Sequence, residues 1–198
     1  MMDKYSAGLV KKPTFFRETI EVGALKLQGF SKNELKDMLL EDNVLKITPA
    51  RRNREISSAV LNRIESLDKN ELEVLKNGSL SEKKYMTMVS IMKTERLIRE
   101  LINEVYVDKL EIGQMIIDDG DLNVFFRRKA EDHEDVAKWK DVTIKKMKQV
   151  IKKILKELEV VKANGKVMEM LPPIVSQNFI DAIDYEDDSI KRVFKRGY

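Results

Sequence analysis

Residues 142–170, VTIKKMKQVIKKILKELEVVKANGKVMEM, pass from a helical repeat into a hairpin signal, and that passage decides the fold. At 100° per residue Ile144, Met147, Ile151, Ile154 and Leu158 fall on one side, which predicts a helix over 142–158 with its apolar stripe turned to a core. Lys145, Lys146, Lys148, Lys152, Lys153 and Lys156 cover the opposite arc. From Glu159 to Met170 two β-capable runs flank Asn164-Gly165, the strongest short-range hairpin pattern, and Pro172-Pro173 ends it. Upstream, helices are expected over 122–131 and 134–138, with Asp121 as the cap of the first and Trp139 as a core plug. Three helices followed by a hairpin is the order of a winged helix. The stretch 118–198 is therefore expected to be a winged-helix-like C-terminal unit with one β-hairpin and a tail.

The preceding 117 residues read as a helical N-terminal unit. A first helix is expected from Thr14 to Gln28, with Phe16, Ile20, Ala24 and Leu27 on one stripe and Gly29 at the left-handed stop. Ser31 with Glu34, Asp68 with Glu71 and Ser79 with Glu82 are capping boxes that start three more helices. Thr48 followed by Pro49 is an N-cap and first-turn pattern, opening a helix through Ser66. Its inward face holds Ile56, Ala59, Val60, Arg63 and Leu67, so Arg63 calls for an acidic partner. Helical spacing of apolar residues from Leu80 to Leu110 predicts one long spine helix, and Asp119-Gly120 is a turn at the boundary between the units. The fold class expected is mainly α.

Arg51, Arg52 and Arg54 lie in the first turn and a half of the helix after Thr48, where cations oppose the helix dipole. Arg51, Arg54, Ser58 and Asn62 share an outward strip. The two helices around this point are helix-turn-helix-like, and a recognition helix presents its first residues to the major groove. Ion pairing with Glu41, Asp42 or Glu55 is the other reading.

Composition narrows the chemistry. The chain has 198 residues, no Cys and one His, which removes disulfide scaffolds, cysteine zinc modules and thiol catalysis. Glycine-rich phosphate loops, dinucleotide fingerprints and nucleophile elbows are missing, so a non-enzyme with no cofactor, no metal and no small-molecule substrate is expected. His133 sits in the acidic run 131–135 and reads as an exposed linker residue. No window approaches the apolar length of a membrane span and no signal-peptide pattern opens the chain, which predicts a cytoplasmic protein without membrane contact. Between Lys138 and Lys166 ten lysines face three acids, a net +7 that leaves −4 on the rest of a chain whose total is +3. A strip of ammonium groups, continued by Lys162 and Lys166 on the hairpin, suits the spaced phosphates of a duplex; a solvated lysine face is the plain alternative.

Tyr5-Ser6-Ala7-Gly8, Arg17-Glu18-Thr19, the Thr48-Pro49-Ala50-Arg51 helix start, and Trp139 ahead of Thr143-Ile144-Lys145-Lys146 follow in an order and spacing that resembles the BrxA family over nearly the whole chain. These are small helical proteins of BREX (bacteriophage exclusion) defence systems. The resemblance implies a DNA-binding accessory part without catalysis, with double-stranded DNA and other BREX subunits as partners. It also leaves two alternatives: a protein–protein scaffold of the defence complex, and RNA binding like that of NusB, to which the family has been compared. A family label of inner-membrane protein disagrees with the hydropathy. The segment Tyr5–Gly8 is expected to pin the N-terminus onto the spine helix.

Overall fold

In the computed structural model, which describes residues 4–194, all three expected capping boxes form. They open α2 (Lys32–Leu40), α4 (Lys69–Asn77) and α5 (Leu80–Thr94). Ahead of them lie a 3-10 helix, Ala7–Lys11, and α1 (Phe16–Leu27), which stops before Gly29 at φ 96°. The buried face of α1 differs from the expected stripe: Thr19, Val22 and Gly23 are fully inside, while Phe16, Ile20, Ala24 and Leu27 are half-buried. Close approach to α4 selects that face, since a Cβ on Gly23 would lie 2.8 Å from Leu75 Cδ2.

The helix α3 (Ala50–Glu65) starts later than the Thr48-Pro49 pattern predicts: Pro49 occupies the N-cap in extended conformation and no side chain caps the first turn. The rest of that reading holds. Ile56, Ala59, Val60, Arg63 and Leu67 are buried and Arg51, Arg54, Ser58 and Asn62 are exposed.

The spine is broken once. After α5, Glu95 is extended (φ −129°, ψ 94°), and the chain resumes as α6 (Arg96–Leu101), a π segment (Ile102–Val107) and α7 (Asp108–Glu111). Apolar spacing does not register this break, because Tyr85–Met92 are all buried, Thr87 and Ser90 included, and a helix buried all round has no face whose phase could be lost.

A two-residue strand, β1 (Ile116–Ile117), leads into α8 (Asp119–Asp132), α9 (Glu134–Ala137) and α10 (Asp141–Glu157). The cap of α8 is Asp118, with Asp121 as the reciprocal partner three residues on, so Asp119-Gly120 is the first turn of a helix rather than a free turn. The hairpin β2 (Val161–Asn164) and β3 (Val167–Met170) forms around Gly165, and β1 adds to β3, giving the antiparallel order β1-β3-β2. Then α11 (Gln177–Ala182) and α12 (Asp188–Lys191) return along the spine. Lys93 bridges Glu71 and Glu186 there at 2.8 Å each. The molecule is mainly helical with one small sheet, and a contiguous core runs from Tyr5 and Leu9 through Tyr106 to Phe179 and Phe194. No helix among the described residues is long and apolar enough to cross a membrane.

Candidate nucleic-acid interface

The amphipathic pattern of α10 is realised: Met147, Ile151, Ile154 and Leu158 are buried, joined by Leu155, and Ile144 is half-buried. Its lysines divide by what they touch. Lys152 pairs with Asp119 of α8 at 2.6 Å, Lys153 with Glu157 at 3.5 Å, and Lys148 donates to the Asn123 side-chain oxygen. On the hairpin, Lys162 lies opposite Glu169 in register and pairs with it at 3.2 Å. Lys145, Lys146, Lys156 and Lys166 are exposed with no carboxylate partner among the described residues.

The arginines at the start of α3 divide in the same way. Glu55 takes both Arg51 (3.6 Å) and Arg52 (3.5 Å), while Glu41 and Asp42 take neither. Arg52 also donates to the Lys11 carbonyl at 3.2 Å and lies over the Phe15 ring. Arg54 is exposed at a groove of about 260 Å³ shared with Lys36, Ser58 and Asn62.

Sequence reasoning did not foresee what joins the two clusters. The 3-10 helix Ala7–Lys11 packs against α10, Arg52 grips the Lys11 carbonyl, and three residues later Thr14 Oγ1 donates to Glu157, the partner of Lys153. Three residues span at most about 10 Å, so the basic start of α3 and the C-terminal end of α10 adjoin. Lys11 stands exposed between them.

Arg63 holds this bridge in place. It is 1% exposed, and the expected acidic partner is replaced by backbone: it donates to the carbonyls of Thr14 (2.6 Å), Pro13 (3.0 Å) and Lys12 (3.2 Å). A guanidinium fork can satisfy three acceptors at once, and carbonyls need no counter-charge to bond it. Burial pulls the guanidinium down to about 10, which still leaves it charged at neutral pH, with Glu95 and Glu18 supporting the charge from further off.

A cleft of about 610 Å³ opens between α8 and α10, lined by Asp119 and Asn123 of α8 and by Asp141, Lys145, Lys148, Gln149 and Lys152 of α10. Its two carboxylates belong to the starts of the two helices, where they suit the dipole. Among the described residues no three His, Asp or Glu side chains converge to hold a metal ion.

A sequence model of the BrxA family matches residues 3–187. The chain belongs to the BrxA family. It is 32% identical to BREX protein BrxA of Bacillus cereus (strain H3081.97) over 186 residues, which cover 94% of this chain and 93% of that protein. Its fold is shared by the crystal structure of an uncharacterized protein from Magnetospirillum magneticum, at a TM-score of 0.80 with 16% identity, covering 96% of this chain and 97% of that one. So low an identity speaks for the fold alone.

In this BrxA-family chain the segment that opens the resemblance is an anchor. Tyr5 is buried and donates to Glu100 at 2.6 Å, as the expected pinning to the spine requires, and Arg96 lies over its ring. Lys129 of α8 pairs with both Glu100 and Glu104 at 2.6 Å. Burial works against the Lys129 charge, but the bonds to Glu100 and Glu104 outweigh it and hold it above the ordinary lysine value. Burial likewise works to raise Glu100, and Lys129, Tyr5 and Arg96 together hold it below the usual carboxylate range. His133 is no exposed linker: its ring lies 4.8 Å from that of Tyr5 and is half-buried. Trp139 packs against the core at 6.4 Å from Phe126.

Proposed function

We propose that this BrxA-family protein is a non-enzymatic accessory component of phage exclusion that binds duplex DNA in the cytoplasm, chiefly through its phosphates. The observation that carries the reading is the set of exposed ammonium groups on Lys145, Lys146, Lys156 and Lys166, which no intramolecular carboxylate neutralises among the described residues. Like charges so placed repel one another and are relieved by a polyanion, with counterions released from the duplex. Lys148, Lys152, Lys153 and Lys162 flank them and, already partnered, contribute less. Lys11 and the α3 arginines Arg51, Arg52 and Arg54 extend the contact across the N-terminal bridge.

The order of elements supports a winged-helix role for 118–198 together with the helix and strand that precede it. A helix (α6 to α7) precedes β1, then come α8, α10 and the hairpin, and β3 lies central in the sheet. On that reading α10 enters the groove and the loop Gly165–Lys166 is the wing. Lysines grip backbone charge without reading bases, so most of the affinity is independent of sequence.

The test is duplex binding over a salt series, comparing the parent with a variant carrying Lys145→Glu, Lys146→Glu and Lys156→Glu. Log affinity should fall steeply with log salt in the parent, and the slope should flatten by about 0.9 for each phosphate that the variant no longer neutralises. A variant with the parent's affinity and slope removes the reading. Competition by RNA of equal length separates DNA from RNA binding.

A second reading, docking to other BREX subunits, is favoured by the exposed Ile112, Met115 and Ile116 around β1 at the end of the sheet. Lys109 Nζ takes the Ile116 carbonyl at 2.9 Å, so what the edge offers another chain is its apolar side chains. Pull-down of purified BREX subunits after nuclease treatment, with Ile112→Asp and Ile116→Asp as the control, tests it.

A further inference from the structure

The outward strip of α10 is not made of lysine alone. At 100° per residue Gln149 falls on its midline, with Lys145 and Lys156 within 40° on one side and Val142 and Lys153 within 40° on the other. Gln149 is exposed and no hydrogen bond holds its amide among the described residues. Val142, at the start of the helix, is 59% exposed, as its place on the outward strip requires. Both are shorter than the lysines around them. When a helix lies in a groove, the long flanking side chains reach the phosphate walls and the short central ones meet the floor.

We infer that Gln149 and Val142 read A·T pairs in the major groove, while the lysines beside them hold the backbone. This rests on the duplex-binding reading above and adds to it a sequence preference that lysines cannot supply. The chemistry is specific to the side chains. A glutamine amide offers one donor and one acceptor in a plane, the complement of adenine N7 and N6, and an isopropyl group makes apolar contact with the thymine methyl. Seven residues separate the two positions, about 10 Å along the axis. That is about three steps of a duplex at 3.4 Å each, so the two contacts fall on different base pairs of one short site. On the α8 side, Lys145 and Gln149 border the cleft that Asp119 and Asp141 also line, and Asp119 neutralises Lys152, so the phosphate contacts that orient the helix fall to the unpaired Lys145, Lys146 and Lys156.

The experiment is selection from a random-sequence duplex pool at fixed salt, run on the parent, on Gln149→Ala and on Val142→Ala, with affinity and salt slope measured for each. The parent should enrich A·T over G·C about tenfold at one or two positions. Gln149→Ala should keep the parent's salt slope, bind unselected duplex within about twofold of the parent, and lose the preference at one position. Val142→Ala should weaken it at a second position about three steps away. A parent that binds with a steep salt slope but enriches nothing overturns the inference and leaves the phosphate reading standing, as does a Gln149→Ala variant that selects the same sites as the parent. A parent that binds no duplex overturns both. Both residues are exposed, and equal melting temperatures of the three proteins establish that binding differences are not losses of fold.

Discussion

Tyr5 donates to Glu100 at 2.6 Å across 95 residues of chain, and through Glu100 the N-terminal segment reaches Lys129 of α8. The bond ties three elements to one carboxylate. Removing the hydroxyl with Tyr5→Phe leaves Glu100 with Lys129 and Arg96, so the loss is that of one bond to a charged group, about 1.5 to 3 kcal/mol. In a protein of this size that is a fall of roughly 3 to 12 °C in melting temperature, read by thermal unfolding monitored by circular dichroism.

Arg63→Met should cost more, about 3 kcal/mol or above, because it strips the donor from three carbonyls at once in the interior. Arg63→Lys should recover only a minor part, since a single ammonium head lacks the planar fork that reaches Thr14, Pro13 and Lys12 together. Urea unfolding gives the magnitude. Limited proteolysis should show new cleavage within residues 7–14 in both variants before the rest of the chain is cut.

Acid stability should carry the signature of Glu82. The Ser176 hydroxyl donates to its carboxylate, and the backbone N–H groups of Ser79 (2.9 Å) and Ser176 (3.1 Å) do too, which holds the carboxyl down at about 2 against the effect of burial. A carboxyl depressed in the folded state stabilises fully above its unfolded value, about 4.3, and its contribution is lost as pH falls from there toward 2. Melting temperature followed from pH 6 to pH 2 should therefore drop further in the parent than in Glu82→Gln, which starts lower and changes less over that window.

Lys11 separates one continuous basic surface from two independent ones. If DNA crosses the bridge between the arginine end of α3 and α10, Lys11→Glu should weaken duplex binding and flatten the salt slope by about 0.9, although the residue belongs to neither cluster. Its side chain is exposed, so the melting temperature should stay within about 1 °C of the parent's. Unchanged binding would confine the contact to α10 and the hairpin.

Much of this fold is legible along the chain because its signals are local. Ser31, Asp68 and Ser79 each sit three residues before a Glu and bond within that span, so the helix starts follow from sequence spacing. Apolar periodicity assigns the inward face of α3 and of α10 for the same reason, and Asn164-Gly165 announces a turn whose left-handed glycine is a property of that residue. The lysine face of α10 is legible too, as one arc of a helical wheel.

What pairs with that face is not legible. Asp119 neutralises Lys152 from another helix, Glu157 is shared between Lys153 and Thr14, and three carbonyls of the N-terminal segment take the place of the acid that Arg63 called for. The break at Glu95 and the two-residue strand Ile116–Ile117 are equally silent in the sequence. One residue of extended backbone leaves apolar spacing unchanged, and two residues carry no period. Helix starts, turns and amphipathic faces follow from interactions within about four residues. The pairs Lys153 with Glu157 and Arg51 and Arg52 with Glu55 lie within that reach; that α8 takes Lys148 and Lys152, and that the basic stretches of α3 and α10 adjoin, depends on side chains brought together from 25 to 143 positions apart, where packing rather than spacing chooses the partner.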